Sequence, residues 1–214
     1  CVSSYRPIAG EYSLKHNLSE ELGSSCICTP LKGFNPKAGA INWRFIVQNG
    51  DWDPSSGNKF VFHLLMDDSD PSAATTKYSV GVNQSGSNDI LSLCTLNKDQ
   101  KLKVLLESEF NWNENEAVAI QITYYPNGLW KMEYNRLGKK ENWLVAGEIQ
   151  SEIMPDAKEW FAGLDFTYET ASREGNLWFD DLEIKSINIP PFFKSYDILA
   201  TDFLLLEYSV KLDF

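Results

Sequence analysis

The sequence predicts an all-β protein, an antiparallel two-sheet sandwich, on three observations. Short segments of alternating apolar and polar residues recur through residues 1–189. Clusters of Gly, Pro, Asn, Asp and Ser separate them, and no stretch keeps a helical period beyond a turn or two. About eleven or twelve such strands with no strand–helix alternation leave two packed antiparallel sheets as the architecture. The chain has 214 residues, 43% of them hydrophobic and 13% aromatic, which is enough for a large core and excludes wholesale disorder. With 30 acidic against 19 basic residues the net charge is −11, a field that repels nucleic acid and anionic lipid. No apolar run approaches the roughly 20 residues of a transmembrane helix, and no signal peptide is visible.

Taken in order, residues 1–10 are irregular and open into a short strand at 11–16, with Tyr12 and Leu14 on one side. A second strand is expected at 26–31, and the glycines and proline of KGFNPKAGA then mark a loop. In residues 40–48, Ile41, Trp43, Phe45 and Val47 alternate with Asn42, Arg44 and Gln48, so one side meets a core. The loop NGDWDPSSGN reads as a turn, since its Asp51, Asp53 and Asn58 lack the spacing and terminal Glu of an EF-hand. Residues 59–68 place Phe60, Phe62, Leu64 and Met66 on one face and His63 on the other. With no Ser or Cys motif nearby, His63 is expected to be structural.

A meander of strands follows at 77–83, 89–96 and 101–108. Segments 117–125 and 128–135 flank a Pro-Asn turn completed by Gly128, the clearest hairpin signal in the chain. Trp130, Met132 and Tyr134 form a core stripe there, and another strand is expected at 143–149. Pro155 restricts SEIMPDAKEW to a turn or two. Residues 159–189 organise the rest: Trp160, Ala162, Leu164, Phe166 and Tyr168 alternate along one run. On uniform alternation Trp178, Leu182 and Ile184 share one face of the next run with Asp180, a carboxylate whose burial demands a partner. After it Pro190–Pro191 breaks the chain, and residues 190–214 read as a linker and the truncated start of a second β domain, or as a tail packed on the sandwich.

Four cysteines, Cys1, Cys26, Cys28 and Cys94, offer no second close pair for a structural zinc site. Cys26 and Cys28 point the same way on an extended strand, so at most one reaches Cys94; buried free thiols are the expected state. Cys1 is a candidate for lipid modification or simply the first residue of the segment in hand.

The strings YSLKHNLSE, CICTPLKG, WRFIVQNGDWDPSSGNKFVFHLL, YSVGVNQSGSNDILSL and FAGLDFTYETASREGNLWFDDLEI resemble the N-terminal jelly roll of large secreted bacterial proteins that carry Ig-like and lamin-tail modules. That domain belongs to the concanavalin A-like lectin/glucanase superfamily. The resemblance covers about residues 5–188 and implies a jelly-roll fold, a secreted or cell-surface location, and an Ig-like module opening at EYSVKLDF. Laminarinase-type members carry ExDxE or ExDxxE on one strand, placing acid and nucleophile roughly 5 Å apart. This chain has neither spacing; Glu107 and Glu109 share a strand face but no third acid follows. In several relatives an acidic residue of the closing strand holds a structural calcium with oxygens of the N-terminal strand. Asp180 resembles that position, which makes Asp180 and Asp181 the candidate metal ligands. The rivals are a pair with Arg173 or Arg44, or exposure.

The function expected is non-enzymatic: a carbohydrate-binding or adhesion module, with a glycan and other domains of the same chain as partners. A purely structural spacer and an unrecognised glycoside hydrolase are the alternatives. Trp52 and Trp112 are the candidate sugar platforms, because they sit in loops beside turn formers; Trp43, Trp130, Trp160 and Trp178 sit in strands and are expected in the core. An open sheet face with two or more exposed aromatics would favour binding, and a covered face the spacer.

Overall fold

The computed structural model describes residues 1–16, 23–96, 99–169 and 176–187, together with the backbone of 207–211. Its strands are β1 (Val2–Ser3), β2 (Ser13–Lys15), β3 (Gly23–Pro30), β4 (Ala40–Asn49), β5 (Asn58–Met66), β6 (Lys77–Val82) and β7 (Ile90–Leu96), then β8 (Leu102–Asn111), β9 (Ala117–Tyr124), β10 (Leu129–Asn135), β11 (Leu144–Gln150), β12 (Phe161–Tyr168), β13 (Leu177–Ile187) and β14 (Glu207–Lys211). The described residues contain no helix, and the strands expected between residues 40 and 150 are all present within a few residues of their predicted bounds. Arg173 lies outside the described residues, and of the segment 190–214 only the backbone of β14 is described, paired antiparallel with β13.

Two antiparallel sheets form. The larger runs β1-β2-β13-β4-β9-β10-β11, with β14 also on β13; the six-stranded sheet runs β3-β12-β5-β6-β7-β8. Between them lies one apolar core in which Ile41, Trp43, Phe45 and Val47 of β4 meet Phe60 and Phe62 of β5, with Phe45 and Phe62 4.6 Å apart by ring centroid. The hairpin turn before β10 closes through Gly128 N–H donating to Tyr125 O at 2.9 Å, with Gly128 at φ 88°. A β-carbon there would come within 2.5 Å of Ser151 O, so the position requires glycine on both counts.

Strand β13 departs from uniform alternation. Its register against β4 jumps between Asp180 and Glu183, and Asp181, at φ 56°, is the extra residue of a β-bulge. The bulge inverts the faces. Phe179 and Ile184 belong to the inter-sheet core and Leu182 packs against it, whereas Trp178 and Asp180 lie opposite Gln48 and Ile46, outside that core. The expectation that Asp180 shares a face with Leu182 and Ile184 is therefore corrected.

Candidate functional site

The outward face of the six-stranded sheet is built from two adjacent rows. Strand registers align Cys28, Gly163, His63, Ser79 and Cys94 across β3, β12, β5, β6 and β7, and next to them Cys26, Asp165, Val61, Gly81, Ser92 and Glu107. Their strand neighbours Ala162, Phe166, Phe60, Phe62, Val80, Val82, Leu91 and Leu93 point into the core, so period two sends these rows outward. The centre of the floor is glycine and serine. A β-carbon on Gly81 would sit 2.4 Å from Phe60 O, and one on Gly163 2.6 Å from Cys28 Sγ, so close strand and side-chain approach excludes larger residues.

His63 and Asp165 meet on this floor. His63 is 4% exposed, its Nε2 lies 3.9 Å from Asp165 Oδ2, and neither ring nitrogen makes a hydrogen bond; Asp165 Oδ1 is likewise buried without one. A buried polar atom left without a partner costs a fold roughly 1–3 kcal/mol. Gln84 folds over the neighbouring serines: Ser79 Oγ donates to Gln84 Oε1 at 2.5 Å, and Gln84 Nε2 donates to Ser92 O at 2.8 Å. His63 thus has a carboxylate neighbour that only strand pairing brings to it. The sequence signal for Asp165 was its polar, outward position between Leu164 and Phe166.

Of the carboxylates on this face, Asp165 on β12 is four strand spacings from Glu107 on β8, roughly 19 Å along the sheet, against the roughly 5–9.5 Å that glycoside hydrolysis uses, and Glu109 stands two residues from Glu107 on the same strand. In the turn after β5, Asp67 accepts from Thr75 N, Thr76 N and Thr75 Oγ1, and Asp70 accepts from Ser72 N and Oγ, both pinning the turn.

Trp52 and Trp112 are not sugar platforms. They are 1% and 0% exposed and pack edge to face on each other at 5.8 Å, with Trp52 against Phe166 and Trp112 against Phe60. Each ring turns back from its loop because a backbone acceptor waits for the indole N–H: Asn176 O at 2.7 Å for Trp52 and Glu116 O at 2.9 Å for Trp112. Among the described residues the exposed aromatics are Tyr5 and Tyr12, in the N-terminal segment, and neither sheet face carries an exposed Trp or Tyr.

Asp180 anchors that N-terminal segment. Its Oδ2 accepts from Ala9 N at 3.0 Å and Ser13 Oγ at 2.7 Å, its Oδ1 accepts from Asp181 N at 2.7 Å, and Trp178 Nε1 beside it donates to Tyr5 O at 3.1 Å. Asp181 is paired with Lys140 at 3.0 Å, and Arg44 with Glu183 at 3.9 Å. A calcium ion takes oxygen ligands, but the groups facing Asp180 and Asp181 are N–H, O–H and ammonium donors, so this arrangement does not fit one. Among the described residues no three His, Cys, Asp or Glu side chains converge as a metal site, and no helix is long and apolar enough to cross a membrane. The thiols also differ from expectation: all four are free and Cys94 is buried, but Cys26 is exposed and Cys28 half-buried.

No family model matches the chain, and no curated protein matches it in sequence. Solved structures do match its fold. The exoplasmic/lumenal domain of VIP36 in its Ca2+/Man-bound form superposes with a TM-score of 0.61 at 10% identity, over 91% of this chain and 88% of that one. The fold is concanavalin A-like. Peanut lectin (TM-score 0.55, 9% identity, 85% of this chain and 89% of that one) and the globular domain of T. cruzi calreticulin (0.56, 12%, 86% and 78%) share it.

Proposed function

We propose that this protein is a non-catalytic carbohydrate-binding module of a secreted or cell-surface protein, and that it holds sugar hydroxyls on the outward face of the six-stranded sheet. The observation that carries this is the buried His63–Asp165 pair, whose orphaned atoms a polyhydroxylated ligand would satisfy. The imidazole and the carboxylate supply donor and acceptor, and the amide of Gln84 and the hydroxyls of Ser79 and Ser92 extend the same chemistry along the rows. Recognition rests on hydrogen bonding, because among the described residues the face offers no exposed indole or phenol to stack on. The fold supports this choice, since VIP36 is described in a mannose-bound form and Emp47p as a carbohydrate recognition domain. The acidic net charge directs the module to neutral or cationic glycans and away from polyanions.

A glycan array with the full chain tests the proposal. Retention of at least one neutral glycan, lost in Asp165→Asn and His63→Ala variants that keep the wild-type melting temperature, is the expected result. A blank array overturns it in favour of the structural spacer, which the absence of exposed sheet-face aromatics favours. Release of reducing sugar would instead identify a hydrolase.

A further inference from the structure

Cys26 and Cys28 stand two residues apart on the outward side of β3, the terminal strand of its sheet, with their sulfurs 3.2 Å apart and no bond between them. Their α-carbons are about 6.6 Å apart at the rise of a strand, inside the roughly 6.8 Å that a disulfide spans. Bonding requires the sulfurs to approach by only about 1 Å. The strand can pucker to allow it, because β3 pairs with β12 on one side and with no other strand among the described residues. Gly163, opposite Cys28, has no side chain to obstruct the sulfur. Cys94, in the same row, is fully buried, and β12, β5 and β6 separate it from Cys28.

We propose that Cys26 and Cys28 are a modification site: a dithiol that closes into an intrastrand disulfide by exchange with a low-molecular-weight disulfide. The more exposed Cys26 gives its proton to solvent, and its thiolate attacks one sulfur of the external disulfide, displacing one small thiolate and leaving a mixed disulfide. Cys28, deprotonated in turn, attacks the Cys26 sulfur and displaces the second small thiolate; the released thiolates take up the two protons. Two protein thiols are oxidised and one external disulfide is reduced to two thiols, so atoms and electrons balance. Sulfur contact makes the second step intramolecular with almost no reorganisation. Burial raises the pKa of both thiols; the hydrogen bond between them raises that of Cys26 further and lowers that of Cys28, and the Asp165 and Asp70 carboxylates raise both, so the first attack, by Cys26, is the slow step at neutral pH. None of this depends on the face binding sugar.

The reduced full chain, incubated with excess oxidised glutathione, alkylated and digested with trypsin, decides the matter. Peptide 16–32 should appear two hydrogens lighter and unalkylated, while exposed Cys1 carries a glutathione adduct and, after unfolding, Cys94 takes the alkylating reagent. Cys28→Ser should stop at a stable glutathione adduct on Cys26, and closure should be at least ten-fold faster in the folded chain than in guanidinium. The proposal is overturned by alkylation of both thiols of this peptide, by a persistent mixed disulfide on Cys26 or Cys28 in the wild type, by equal closure rates folded and unfolded, or by a crosslink from Cys26 to Cys1, which lines the same cleft of about 230 Å³.

Discussion

Replacing Trp52 by alanine separates the two roles a loop tryptophan can play. A ring of this size buries about 200 Å², and at about 25 cal/mol per Å² its removal forfeits roughly 5 kcal/mol of transfer free energy. Measured Trp-to-Ala changes in cores run about 3–5 kcal/mol. The change here also removes one of the two donors to Asn176 O, which keeps Gly50 N–H, and one half of the edge-to-face contact with Trp112. The expected loss is about 4 kcal/mol, a large share of the about 5–15 kcal/mol by which domains are stable. Trp52→Phe, which keeps most of the volume but not the N–H donor, should cost about 1–2 kcal/mol. Guanidinium unfolding followed by circular dichroism, with equal slopes for all three chains, measures both. If Trp52→Ala unfolds within 1 kcal/mol of wild type, the ring is not in the core and its place in the fold is wrong.

Asp180→Ala leaves Ala9 N, Ser13 Oγ and Asp181 N without their acceptor and should cost about 1–3 kcal/mol, while a chelator should leave the wild-type midpoint where it is; a chelator-induced drop would restore calcium. Gly163→Ala drives a β-carbon to 2.6 Å from Cys28 Sγ and 2.8 Å from Ile27 O, so about 1–3 kcal/mol of overpacking is expected, with Cys28→Ala recovering only part because the Ile27 carbonyl is backbone. Burial alone would raise the pKa of Asp67, but hydrogen bonds from Thr75 and Thr76 outweigh it and lower the value. The stabilisation by Asp67 is therefore complete above the unfolded value of about 3.9 and is lost as pH falls through the lower folded one. The stability gap between wild type and Asp67→Asn should shrink as acid is added below about pH 4; a gap that widens would reverse the sign.

Alternation made the strands legible, and with them the core positions of Trp43, Trp130 and Trp160, because period two is imposed by the pleat itself. Trp178 is buried too, but under the N-terminal segment, which supplies Tyr5 O to its indole. A sign of this was available. With one residue inserted at the Asp180–Asp181 pair, Phe179, Leu182 and Ile184 fall on one face and Trp178, Asp180, Glu183 and Lys185 on the other, a cleaner separation than uniform alternation gives. Aspartate is also among the residues that tolerate the left-handed conformation a bulge of this kind needs. The loop tryptophans misled for a different reason: turn formers and acids report that the backbone is at the surface, not where a long side chain returns. His63 and Asp165 were individually visible as outward polar residues, but their meeting depends on the β5–β12 register, which is set by strands a hundred residues apart.

The two sheet faces differ in how their polar groups are satisfied, and the proposed ligand site rests on that difference. On the outward face of the larger sheet, Arg44 Nε donates to Gln121 Oε1 at 2.5 Å, Gln121 Nε2 donates to Glu133 Oε2 at 2.6 Å, and Lys131 pairs with Glu133 at 2.9 Å. This chain of charge-assisted bonds uses its donors and acceptors internally and leaves little for a sugar to complete. The face of the six-stranded sheet leaves His63 and Asp165 incomplete. The two faces should therefore respond oppositely to single changes. Gln121→Ala breaks the chain between two charged groups and should cost about 1–3 kcal/mol with glycan retention intact, whereas Asp165→Asn should abolish retention and leave stability within about 0.5 kcal/mol. Loss of retention in Gln121→Ala without unfolding, with retention kept in Asp165→Asn, would move the site to the larger sheet.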